Sequence, residues 1–434
     1  MAKRPHLNQL GAADAAARIA TGKLTSEALV RACLERIEER EGSVHAWAFL
    51  DPDLALSQAR ARDRERPRGP LHGVPIGIKD NIDTEDMPTE YGSKLYEGHR
   101  PTMDAAMVGR LRAQGAVILG KTRTTEFACP FPTITRNPHD LARTPGVSSS
   151  GSAAAVADFM VPLANGTQTG GSVIRPASLC GLYGYKASLN GLDRAGIRHL
   201  KPSIDTLGLF ARSLADIALM RGTLVVGPAP RAPRAGRKGP RIGVARTHVW
   251  PQARPETVAA IETTQQILGA PDVELPAQLE RAMERFGAVT RYEGLRMTDQ
   301  IVLDNLGEIN PWSRDGIVGG KSITRAEFDE ASREAQLARM QLAGLFDDYD
   351  ILITPAAAGE APADLTAIEG GAFNTLWTHM YVPCLTLPLF VGPNNMPVGL
   401  QIVGPHGADE TILAAAAWIE TRFRESGALP IRVG

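Results

Sequence analysis

Two short apolar runs with a helical stretch between them constrain the fold more than anything else in this chain. HGVPIGIKD (72–80) and AVILG (116–120) read as strands, and MDAAMVGRLRAQG (103–115) reads as a helix closed by glycine. Neither run alternates apolar with polar, so both faces of each strand should be covered. That is the mark of βαβ units in a largely parallel, buried sheet. The pattern returns in RIGVAR (241–246), DILITP (350–355), CLTLPLF (384–390) and VGLQIVG (398–404). In residues 25–41, Leu29, Val30, Cys33, Leu34 and Ile37 fall on one helical face. Thr324 and Glu327 form a capping box that opens a long helix to about Phe346, and a further helix begins near Asp409. The stretch GPAPRAPRAGRKGP (227–240), rich in Pro, Gly and positive charge, is expected to be an exposed linker. Strands resume after it, so residues 1–434 are expected to form a single domain.

Bulk properties exclude several classes of function. Lys and Arg number 47 against 48 Asp and Glu, so nothing draws the chain to nucleic acid or a membrane surface. Its four cysteines (Cys33, Cys129, Cys180, Cys384) are far apart and form no CxxC pair. MAKRPHLNQLGAADAAARIA has no apolar core of a signal peptide, and no run approaches the roughly 18 apolar residues of a membrane span. A cytoplasmic protein is expected.

Some motifs fail on their mechanism. GAVILGKT (115–122) fits the phosphate-loop pattern, but its interior is a buried strand and not an exposed backbone cradle. Lys121 is therefore expected to be a solvated strand-end residue. No HExxH or GxSxG is present, and the nine histidines show no metal-ligand spacing. Histidine is not the expected base, and no metal is expected.

Two Ser/Gly clusters carry the chemistry. TPGVSSSGSAAAV (144–156) alone would be a flexible loop. NGTQTGGSVIRPAS (165–178) follows an apolar strand and precedes a short helix, and Gly170-Gly171-Ser172 offers a hydroxyl after two residues without side chains. Successive backbone N–H groups there could converge on one oxygen, as an oxyanion hole requires. The serine needs a base, and Lys79, ending the apolar strand GVPIGIK, is the candidate, because desolvation favours a neutral amine.

GVPIGIKDNIDT, GVSSSGSAAAV and GTQTGGSVIRPASLCGLYGYK together resemble the amidase signature family, densely over about residues 72–188. ILITPAAAGEAP and MPVGLQIVG are similar to the family's closing strands. The resemblance implies an α/β/α sandwich with a mixed, mostly parallel central sheet. It implies Lys79 as base, Ser148 as proton relay on a cis peptide bond, and Ser172 as nucleophile. Ser149 and Thr167 match supporting hydroxyls, and the N–H groups of Thr169, Gly170, Gly171 and Ser172 would form the oxyanion hole. The implied activity is hydrolysis of a small amide through an acyl-enzyme, with no cofactor.

Three departures from the usual pattern stand out. Val147 and Ser150 replace glycines, Gln168 stands where Asp is frequent, and Arg175 follows the nucleophile by three places where many members have two. Val147, β-branched beside a tight turn, should narrow the site or shift its backbone. Ser150, Gln168 and the arginine spacing are similar to malonamidase-type members, in which the matching arginine receives the substrate's acid group. Arg175 is therefore a candidate substrate-binding residue, or else a brace for the Pro176 turn. The preferred reading is a free-standing amidase for a small carboxamide, with a dicarboxylic monoamide such as malonamate one substrate that Arg175 could select, since no partner-docking extension is evident. The alternatives are the glutaminase (amidase) subunit of a glutamine-dependent tRNA amidotransferase and, third, a non-catalytic binding scaffold. The sequence leaves the oligomeric state open, a homodimer included.

Overall fold

The computed structural model describes residues 6–225, 239–368, 371–427 and 429–433. All but the last two residues of the expected linker 227–240 lie outside them. Eleven strands form one sheet: β1 (Trp47–Leu50), β2 (Pro75–Lys79), β3 (Val117–Thr122), β4 (Leu163–Gln168), β5 (Tyr183–Lys186), β6 (Thr206–Ala211), β7 (Ile242–Val244), β8 (Ile351–Pro355), β9 (Cys384–Val391), β10 (Pro397–Val403) and β11 (Ile431–Arg432). The order is β1-β3-β2-β4-β6-β5-β9-β10-β8-β7, with β11 beside β9. Strands from both sides of residues 226–238 therefore enter the same sheet.

The sheet is mixed, but the expectation that it is mostly parallel is corrected. Parallel pairs are β2–β3, β2–β4, β7–β8 and β9–β11. The other six pairings are antiparallel. The physical reason is that continuous apolar runs report cover on both faces, not direction. β9 and β10 are such runs, yet they meet across a short turn with Val391 opposite Pro397.

Helices pack on both faces over separate cores. One core gathers Ile76, Ile78, Leu111 and Ile118 with Leu385 and Ile402. The other gathers Leu29, Val30, Cys33 and Val117 with Ala153 to Val156. The expected N-terminal helix runs Ser26–Val44, with the Thr25 hydroxyl accepting from the Ala28 N–H at 3.2 Å. The helix expected over 103–115 is shorter, Ala106–Ala113. The capping box forms: Glu327 N–H donates to Thr324 Oγ1 at 3.2 Å and Thr324 N–H to Glu327 Oε2 at 2.7 Å, opening the helix Arg325–Leu345. Among the described residues, no helix is long and apolar enough to cross a membrane.

Lys121 is not solvated, contrary to expectation. Its side chain is fully buried because β3 lies inside the sheet and the 80–91 loop folds over its end. The ammonium donates to Ile82 O at 2.8 Å, Pro88 O at 3.3 Å and the Thr89 hydroxyl, and lies 3.6 Å from Asp80 Oδ1. Removing one member of such a buried pair strands the other. Lys121→Met should therefore lower unfolding free energy by about 3–5 kcal/mol, read from urea titration.

Candidate active site

The sheet register builds the centre of the site. β2 runs parallel beside β4, with Ile76 opposite Leu163 and Gly77 opposite Ala164. The end of β2 thus comes level with the β4 residues Asn165 and Thr167, and the Lys79 N–H donates to Asn165 Oδ1 at 2.8 Å. Lys79 Nζ lies 2.9 Å from Ser148 Oγ, 3.0 Å from Ser149 Oγ and 2.9 Å from Thr167 Oγ1. Asn81 Nδ2 donates to Thr167 Oγ1 at 3.0 Å, fixing that hydroxyl from the far side. Gly166 makes room for the cluster, since a Cβ there would lie 2.8 Å from Ser149 Oγ.

Burial lowers the Lys79 amine to about 7, with Asp205 the charge that opposes the shift. The partners of the two buried lysines distinguish their roles. Besides the Thr84 and Thr89 hydroxyls, Lys121 faces two carbonyls and a carboxylate, which only accept and therefore call for an ammonium. Lys79 faces hydroxyls, which can also donate, so one of them can give its proton to the lone pair of a neutral amine.

Ser148 and Ser149 precede the helix Ser150–Ala157. Gly146, at φ +107°, turns the chain into it, and a Cβ there would lie 2.8 Å from that of Pro176. The cis bond expected before Ser148 is not found: among the described residues the cis bond is Leu429–Pro430. The Gly146 turn already presents Ser148 to Lys79 from a trans peptide.

Thr169 to Ser172 form a loop between β4 and the helix Ile174–Leu179. Gln168 holds it: its Oε1 accepts from Val173 N–H at 2.8 Å and Ile174 N–H at 3.0 Å. Its Nε2 donates to Thr378 Oγ1 at 2.9 Å, and Thr378 Oγ1 in turn donates to Gly170 O at 3.0 Å. Gly171 is required by crowding, because a Cβ there would come within 2.5 Å of Asn374 Oδ1. Ser172 is half-buried and faces a cavity of ≈730 Å³. No hydrogen bond joins Ser172 to Ser148 among the described residues, so the relay contact implied by the resemblance is not formed. Arg175 is buried in the first turn of the helix and lines the same cavity, as does Val147.

Sequence reasoning missed Gln168 as the loop's clamp, and Asn81 and Asn165 as supports of the lysine. It also missed the outer wall, built by the helices Phe286–Arg296 and Pro311–Gly319. No local signal marks Asn81, Asn165 or the wall helices, each of which acts across a long stretch of chain, and Gln168 stands out only as a departure from the usual aspartate.

The family model described as Amidase matches residues 28–413. The chain belongs to the amidase signature family. It is 33% identical to a glutamyl-tRNA(Gln) amidotransferase subunit from Streptomyces coelicolor, over 98% of each chain. Among solved structures, an inhibitor-bound complex bearing on the origins of an s-triazine catabolic enzyme superposes with TM-score 0.88 at 29% identity, covering 97% of this chain and 99% of the other. The crystal structure of an amidase superposes with TM-score 0.87 at 30% identity, covering 95% and 100%. In this amidase two of the departures from the family pattern, Gln168 and Ser150, have local explanations. Gln168 keeps the acceptor oxygen an aspartate would supply and adds a donor for Thr378. Ser150 turns its hydroxyl away from the lysine, toward Thr133 Oγ1 at 3.2 Å and Thr135 Oγ1 at 3.4 Å.

Proposed function

We propose that this amidase hydrolyses a carboxamide through a seryl acyl-enzyme on Ser172, with Lys79 as base and Ser148 as relay. The supporting observation is the fully buried lysine whose amine meets only hydroxyls, at 2.9 to 3.0 Å. A neutral Lys79 takes the Ser148 proton as Ser148 takes that of Ser172, whose oxygen adds to the amide carbonyl. The N–H groups of Thr169 to Ser172 receive the oxyanion, each donor contributing about 3–4 kcal/mol in comparable sites. The proton returns through Ser148 to the leaving nitrogen, the C–N bond breaks, and water releases the acid.

For the substrate, the relatives favour glutamine: the Streptomyces amidotransferase protein is matched along nearly its whole length. On this reading the chain releases ammonia for a partner protein. Arg175 on the cavity wall favours a second reading, a free-standing hydrolase of a dicarboxylic monoamide such as malonamate. Both substrates carry a carboxylate, which an arginine can hold bidentately. The test is turnover of L-glutamine, malonamate and propionamide by the single purified chain, and again with candidate partner proteins. Arg175→Ala should raise KM at least about tenfold for the acidic amides and leave propionamide unchanged. Equal loss on all three would make Arg175 a brace. Turnover of none, with or without partners, would leave the binding-scaffold reading.

A further inference from the structure

Outside the hydroxyl network, one buried carboxylate touches two sides of the cavity at once. Asp205 stands directly before β6 and is 6% exposed. The β4–β6 register pairs Gln168 with Thr206, so residues 169 and 205 leave the sheet side by side. Asp205 Oδ1 accepts the Thr169 hydroxyl. Its Oδ2 accepts the N–H groups of Leu200 at 3.0 Å and Lys201 at 2.9 Å. Thr169 begins the loop that carries Ser172, and Leu200 and Lys201 line the same cavity.

We propose that Asp205 is a positioning residue for amide cleavage, its two oxygens fixing the Ser172 loop, through Thr169, against the Leu200–Lys201 wall. The inference rests on the seryl-hydrolase reading above. Hydrogen bonds to an ionised carboxylate are the strong ones, and three converge here. Backbone donors help only if aimed where the oxyanion develops, and a misplacement of about 1 Å can cost about 100-fold in rate.

Asp205 also acts at a distance, as the anion that opposes the burial shift of Lys79. The groups facing Asp205 are Arg194, His199, Lys201 and Glu293. His199 Nδ1 lies 3.7 Å from Oδ2, and Arg194 donates to the Asp205 carbonyl. Burial works against the Asp205 charge, but His199, Lys201 and the Thr169 hydroxyl hold its carboxyl below the usual range. Asp205 is therefore anionic at neutral pH.

The test compares wild type, Asp205→Asn and Thr169→Val as full chains, on whichever of L-glutamine, malonamate and propionamide turns over. A fluorophosphonate counts the competent sites in each preparation. Asp205→Asn should lower kcat per titrated site about 100-fold. It should also move the acid limb of kcat/KM to lower pH, because Lys79 loses its stabilising anion. Thr169→Val should lower kcat about tenfold with the limb in place. Wild-type kcat and an unmoved limb in Asp205→Asn would overturn the proposal, as would a loss fully explained by fewer titrated sites. Should Asp205→Asn fail to fold, wild-type kcat in Thr169→Val overturns it alone. A wild type that neither turns over nor takes the label sinks the hydrolase reading and this inference with it. An active wild type with unimpaired variants sinks the inference only.

Discussion

Ser172→Ala should lower amide turnover by roughly a million-fold, the scale seen when a serine nucleophile is removed from a hydrolase. The fold should be unaffected: the hydroxyl is half-exposed on a cavity wall, makes no hydrogen bond among the described residues, and its loss leaves no buried polar group without a partner. Matching melting curves beside lost activity would be the expected pair of results. Mass spectrometry after fluorophosphonate treatment should place the adduct on residue 172. An adduct on Ser148, Ser149 or Ser150 would reassign the nucleophile.

Lys79→Ala should cost about 10,000-fold or more, the upper range for loss of a positioned general base. Lys79→Arg should not restore it, since a guanidinium stays protonated at any working pH. In the wild type, kcat/KM should rise with pH through about 7 and level off above, as the amine loses its proton. Stability should share the dependence. The folded-state value lies below that of an unfolded lysine, so between about 7 and the ordinary lysine range the unfolded chain binds the extra proton. Unfolding free energy should therefore climb with pH across that window, and Lys79→Met should remove that part of the climb. A wild-type profile flat from pH 6 to 9 would exclude Lys79 as base.

The two buried lysines show what the sequence could and could not convey. GIKD and LGKT each end an apolar strand in lysine, and nothing local distinguishes them. The distinction lies in what each amine meets: hydroxyls alone, from β4 and the 148–149 turn, for Lys79; for Lys121, the carbonyls of Ile82 and Pro88 and the Asp80 carboxylate beside two threonine hydroxyls. The second serine cluster was legible from its glycines and the strand before it, whereas the first reads as a loop until the resemblance to the amidase signature family gives it a role. Gln168 was legible only as a departure, because its partner Thr378 is 210 residues away. Asp205 was not legible at all, being one acid in a turn whose place opposite Thr169 comes from the antiparallel β4–β6 register. Strand direction was misjudged for a related reason: a run covered on both faces looks the same whichever way it points.

The chain leaves the sheet at Val244 and re-enters it at Ile351, on a strand that lies alongside in parallel register. Both wall helices, Phe286–Arg296 and Pro311–Gly319, belong to that single excursion, whereas Lys79, Ser148, Thr167 and Ser172 all precede it. The outer wall of the cavity is therefore encoded in one contiguous stretch, apart from the proposed catalytic residues, although Arg175, Leu200 and Lys201 line the inner side from before it and Thr375 from after it. A lineage, or an engineer, can trade one excursion for another between two adjoining strand ends and reshape the outer half of the cavity, while the cluster around Lys79 stays as it is.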